Sequence, residues 1–296
     1  MAILSALLVH EEEKSALAIS GFEIHPSVVL GCLALALGYW YLVGPARRRF
    51  GWPGGAVAPW RAGFWGLAVA TIFLALDGPL HKLADESLFS AHMVQHMLLM
   101  MVMPPFLILG LPPELVRHAV RDQRVLAAGR FLTKPIVAFL AYNLVFVGWH
   151  LPAAYNLALT HHPIHIVQHL MFISVSVMMW WPVVAPVAEL EQIPDGPMLM
   201  LYVFAFALLM TIPAAFLTLS GRLIYPFYEA APRITPLTAL EDQRLGGLIM
   251  WVPGFVLYLI AITAIWFRWT KDEYAEWREE AREARAKRAE AALAGS

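Results

Sequence analysis

Over residues 135–188 the sequence contains no Asp, Glu, Lys or Arg. A soluble domain has no way to shed charge over so long a stretch, because part of any such stretch must face water. A bilayer crossing needs roughly 20 apolar residues, so this run is long enough for two. The His-rich, Pro-containing segment 150–163 divides it. Further uncharged stretches occupy 27–46, 62–76, 87–113, 196–221 and 245–267. They predict seven helices near 26–44, 60–79, 89–110, 134–150, 163–187, 197–219 and 246–269. The expected fold is an all-α integral membrane protein, a seven-transmembrane-helix bundle. It comprises an N-terminal segment 1–24, a transmembrane domain 25–269 and a charged, solvated helical tail 270–296.

Composition agrees. The chain is 59% hydrophobic and 15% charged, against roughly 45–50% and about 25% for soluble domains. Soluble enzymes, disordered chains and disulfide scaffolds are excluded on this ground. A net charge of −1 gives no electrostatic footing for nucleic acid. The single cysteine, Cys32, lies in an apolar run. It rules out an internal disulfide and Cys-rich metal motifs, and reads as a small buried apolar residue.

Basic residues set the expected orientation. Sixteen Lys and Arg fall in the first and third loops and the tail, and five on the other side. The basic side is cytoplasmic on this rule, with the N-terminus outside and the C-terminus inside, in a bacterial plasma (inner) membrane. Met1 to Val9 is apolar but short and lacks a basic leader, so it reads as an interfacial segment rather than a cleaved signal. Prolines at 104, 105, 213 and 253 free backbone carbonyls that need partners inside the bundle. Trp149, Trp180, Trp181, Trp251, Trp266 and Trp269 fall near span ends, where interfacial anchors sit.

On this topology ten of the eleven histidines lie in the outer half, His118 being the exception. Two segments match: His92-Met93-Val94-Gln95-His96 and His165-Ile166-Val167-Gln168-His169. Each opens a helix running inward, and histidines four apart share a helix face. Two such helices facing one another offer four imidazoles to one metal ion. Met100 and Met103 continue the His92–His96 row, and thioether with imidazole suits copper, particularly Cu(I); zinc is compatible with imidazoles alone. A lone His or a row of Met on a membrane helix ordinarily means packing; two boxes in register, without nearby cations, point to a metal site. His150, His161 and His162 are candidate auxiliary ligands. Asp77 and Asp242 are candidates for receiving the second ring N–H of a ligand histidine, or else are helix caps.

Several further stretches run in order from about Asp77 to Phe267. They are Pro104-Pro105, Leu109-Gly110-Leu111-Pro112, Trp149-His150-Leu151-Pro152, Tyr155-Asn156, Trp180-Trp181-Pro182 and Asp242-Gln243 leading into Gly246-Gly247-Leu248-Ile249-Met250-Trp251. With the two His boxes they resemble the membrane-integral CtaG family of cytochrome c oxidase assembly factors. The resemblance implies a seven-helix, non-enzymatic protein that supports formation of the CuB centre in the oxidase catalytic subunit, its partner. A soluble periplasmic copper chaperone is the expected donor. A His-box metallohydrolase or oxygenase is the rival reading, weakened because neither box contains a carboxylate to serve as base. A haem carrier and a metal-free scaffold are the others.

Overall fold

The computed structural model describes residues 24–50 and 57–294. The expected N-terminal segment 1–24, with its interfacial Met1 to Val9, lies outside the described residues except for Ile24. The described chain is helical, with no strand among the described residues. In chain order the helices are α1 (Pro26–Arg49), α2 (Pro59–Leu76), α3 (Gly78–Glu86), α4 (Phe89–Gly110) and α5 (Pro113–Ala119). There follow α6 (Gln123–Leu132), α7 (Pro135–His150), α8 (Pro152–Thr160) and α9 (His162–Val184). α10 (Pro197–Leu219), the single turn α11 (Phe227–Ala230) and α12 (Ala239–Ala294) complete the chain.

Six of these, α1, α2, α4, α9, α10 and α12, are long and apolar enough to cross a bilayer. The protein is therefore a multi-pass membrane protein. The remaining expected span, 134–150, is the 16-residue α7, about 24 Å long at the usual helical rise. It is bent by 60° from α6, and the count reaches seven if this pair forms one span. Leu30, Leu33, Leu37 and Trp40 on α1 and Leu201, Leu208 and Ile212 on α10 are exposed. Such apolar faces suit lipid and not water.

Several boundaries differ from expectation, α1 for one running on to Arg49. The second span ends at Leu76 because Asp77 is extended and caps a separate helix, α3, by accepting from the Gly78 N–H at 2.9 Å. The last helix runs unbroken from Ala239 through the tail. Its Glu- and Arg-rich tail has strong helix formers throughout, so nothing stops it at the membrane edge.

α4 is the central element, packed against α2, α9 and α12. Its middle contains a π turn, Leu98–Val102, one turn beyond the first His box. Pro104 has no N–H for the Met100 carbonyl. The Trp180 indole N–H supplies that bond instead, at 3.0 Å. Trp180 is thus a buried partner inside the bundle and not an interfacial anchor.

Close helix approach depends on glycine. A Cβ on Gly247 of α12 would stand 2.7 Å from the Thr218 backbone N, and one on Gly110 of α4 would stand 2.8 Å from the Trp65 backbone N. Gly66 has open space around it. Gly247→Ala should lower stability by about 1–3 kcal/mol through overpacking, while Gly66→Ala should not lower it. Thermal unfolding in detergent checks this; equal midpoints for the two variants would contradict the packing assigned to α10 and α12.

Candidate metal centre

The His boxes sit at the N-terminal ends of α4 and α9. α4 starts where it does because a distant carboxylate caps it. Asp242, fully buried on α12, accepts from the Phe89 N–H at 2.7 Å and from the Ser90 hydroxyl. A carboxylate there satisfies orphan N–H groups and complements the positive helix end. Its neighbour Gln243 accepts from the Ile224 N–H and donates to the Arg222 carbonyl, tying down the segment between α10 and α12. That segment supplies Tyr225 and Tyr228, which donate to the carbonyls of His150 and Ala84.

The four box histidines meet. All are buried. Ring centres are 4.3 Å apart for His92–His96, 4.2 Å for His165–His169, 5.3 Å for His92–His165 and 5.7 Å for His96–His169. One ligand atom each from His92, His165 and His169 fall within 4.8 Å of one another. His96 stands one hydrogen bond away, its Nε2 2.9 Å from Nε2 of His92. The Nδ1 of His96 and the Nε2 atoms of His165 and His169 are buried with no hydrogen-bond partner. A buried polar atom without a partner is costly, and neutral imidazole nitrogens brought close together are what a metal ion needs.

The carboxylate that orients this cluster is neither Asp77 nor Asp242. Asp77 caps α3 and faces His25, its Oδ1 3.4 Å from the His25 Nδ1; Asp242 caps α4. Of the two roles open to them, both take that of a helix cap, and both are buried. The orienting group is Asp85, on α3, whose Oδ2 lies 3.2 Å from Nδ1 of His165. With the proton held on that side, His165 presents Nε2 as its lone-pair nitrogen. The same oxygen lies 3.6 Å from Nε2 of His81. Gln95 fixes the His81 tautomer. Its amide N donates to the Ala75 carbonyl at 2.7 Å and to the His81 Nδ1 at 2.9 Å, so the His81 proton is on Nε2, facing Asp85. Neither box contains a carboxylate; the fold brings one to them. The signal for it was in the sequence, since His81 and Asp85 stand four residues apart on one helix face.

The auxiliary candidates divide. His150 adjoins the cluster, its ring 6.2 Å from that of His96 and its Nδ1 engaged with the Phe146 carbonyl. His162 is exposed, but its ring lines the same cavity as His165, His169 and Met103. His161 is exposed and bonded within its own turn. Met100 lies in the apolar core. The π turn places an extra residue per turn between the His box and Met103, so the row read along an ideal helix is interrupted there. Cys32 is buried, as expected, with Sγ 3.9 Å from the Val69 carbonyl.

Residues 37–272 match the family described as cytochrome c oxidase caa3 assembly factor. The chain belongs to this family. An uncharacterized protein of Mycobacterium leprae is 26% identical over 273 residues, and one of Mycobacterium bovis 24%. In each case the match covers 83% of this chain and 39% of the relative, so the chain spans about two fifths of the length of these proteins. No solved structure matches it. The family is one of oxidase assembly factors, which bears out the resemblance carried by the His boxes and the Pro and Trp motifs.

α3 lies outside the spans, where two of its ionisable groups, His81 and Asp85, titrate against each other. Burial lowers the His81 proton affinity below the ordinary value of 6.5, with the Asp85 charge pulling the other way. Burial opposes Asp85 ionisation, but the hydrogen bond and charge of His165, with His81 nearby, hold its carboxyl below the usual range. The unfolded chain therefore takes up a proton at residue 81 before the folded chain does, and stability falls as pH drops through about 6.5. His81→Gln should flatten this dependence, read as the unfolding midpoint against pH. A slope unchanged from wild type would show that His81 is not depressed.

Proposed function

We propose that this assembly factor carries Cu(I) in the buried His cluster and delivers it to the catalytic subunit of a cytochrome c oxidase as the CuB centre forms. The observation that carries the reading is the convergence of His92, His165 and His169, buried and with unpartnered ring nitrogens. His96 is a fourth ligand once its hydrogen bond to His92 is given up. Imidazoles without thiolate suit both copper and zinc; the oxidase destination favours copper.

In this reading copper is cargo and the chain performs no turnover. Asp85 holds His165 with Nε2 inward. The surrounding Phe172, Phe89, Tyr155 and Tyr225, all buried, keep bulk water from competing for the ion. Release proceeds by ligand exchange, one imidazole at a time, to histidines of the oxidase subunit. A site of three or four imidazoles with one position open permits this.

Membrane placement follows the same logic. Arg61 donates to the carbonyls of Leu109 and Leu111 at the C-terminal end of α4. Arg130 donates to the Glu189 carbonyl, and Arg268 pairs with Asp195. These cations gather at the helix ends opposite the histidines. With the bent α6–α7 pair as a crossing, seven spans run from an outer N-terminus to a cytoplasmic C-terminus in the bacterial plasma membrane. The His cluster then faces outward, where a soluble periplasmic chaperone could supply copper.

His96→Ala and His169→Ala should each lower bound copper and leave the oxidase deficient in CuB, measured by metal analysis of the purified protein and by the oxidase spectrum. Normal oxidase in both variants would overturn the proposal. A metal-free scaffold would instead give a folded protein without copper and an oxidase indifferent to the four histidines. Asp85→Asn should weaken Cu(I) affinity by about 10–100-fold, as loss of a ligand's hydrogen-bond partner does, in competition with a chromophoric chelator. Unchanged affinity would remove Asp85 from the site.

A further inference from the structure

A cavity of about 360 Å³ lies between α1, α2, α9 and the lower half of α4. Hydrocarbon lines most of it, including Val28, Leu35, Ile72 and Leu170, yet five histidines also line it: His25, His81, His162, His165 and His169. Imidazoles against an apolar void lose hydration that aliphatic side chains would not lose, so this placement has a physical cost that packing does not explain.

The five form a series graded by depth. His162 is exposed, the His25 side chain is 31% exposed, and His81, His165 and His169 are buried. Successive ring centres are 6.4 Å apart from His162 to His25, 4.9 Å from His25 to His81 and 6.2 Å from His81 to His165. An ion about 2.0–2.1 Å from one nitrogen on each of two imidazoles puts their centres roughly 6 Å apart. His25 and His162 meet that spacing, with planes 24° apart. Asp77 sits against the His25 Nδ1 and leaves Nε2 for an ion, as Asp85 does for His165. His81 cannot take part at rest, because Gln95 occupies its lone-pair nitrogen. It separates an outer pair from the inner cluster.

We propose that His25 and His162 form a second, outer site for Cu(I), and that the cavity behind them is its passage to the inner cluster. This rests on the copper reading of that cluster. The outer site is open to water and has two imidazoles, so it exchanges readily; the inner one is buried and has three or four, so it retains the ion.

The test is anaerobic Cu(I) titration of the purified full-length protein against a chromophoric chelator, with the filling rate followed by stopped flow. The wild type should bind ions of two affinities. His25→Ala/His162→Ala should bind one ion fewer, losing the weaker, and should fill the inner site about tenfold more slowly or worse, in the range seen when a ligand shell is broken. His162→Ala alone changes an exposed ring and should show the same direction with folding intact. His92→Ala/His165→Ala should keep the weaker ion. Wild-type stoichiometry and rate in the His25/His162 variants would overturn the outer site while leaving the inner one standing. A wild-type protein that binds no Cu(I) would overturn the copper reading itself, and the outer site with it.

Discussion

Inside a bilayer no water is at hand to complete the hydrogen bonding of a ring nitrogen, carbonyl or carboxylate. Every polar group in the bundle must find its partner within the protein, and most do. The Met100 carbonyl freed by Pro104 receives the Trp180 indole N–H. The Tyr142 and Tyr258 hydroxyls pair at 3.2 Å, and those of Tyr155 and Tyr228 at 3.0 Å. The first N–H groups of α4 go to Asp242. Some buried polar atoms lack a partner, among them Asn143 Oδ1 and Ser176 Oγ, and the unpartnered nitrogens of His96, His165 and His169 lie together in one cluster.

The same constraint explains how the cluster is held. α4 carries one His pair, and its start is fixed by a carboxylate from α12. Its other packing faces are set by glycine contacts with α2 and α12. α9 carries the second pair, and α3 reaches across to orient His165 through Asp85. The centre is therefore assembled from α3, α4 and α9 and supported by α12. The chain that holds this arrangement belongs to a family of cytochrome c oxidase assembly factors.

Much of the site was legible in the residues alone. The spacing of His92 with His96 and of His165 with His169 required only that both segments be helical, since positions four apart share a face whatever the tertiary fold. Burial of Cys32 followed from its apolar surroundings. The roles of Asp77 and Asp242 were open between cap and histidine partner; both are caps, and Asp77 also faces His25. Trp180 was misplaced because nearness to a span end carries no record of which way a side chain points. Met100 and Met103 were read on an ideal helix, and the π turn interrupts that row. Asp85 and Gln95 were passed over, although His81 and Asp85 stand four apart on one helix, because the rings they orient, His165 and His81, lie on other helices than their own.

Uncharged runs and helical periodicity determined a multi-pass helical membrane protein with paired imidazoles near one end, because both depend only on local sequence and the thickness of a bilayer. Which carboxylate orients which ring, and that the two pairs meet, was decided only by the tertiary structure. Those contacts join residues far apart in the chain, such as Asp242 with Phe89 and Asp85 with His165, and no local pattern encodes the packing that brings them within hydrogen-bond reach.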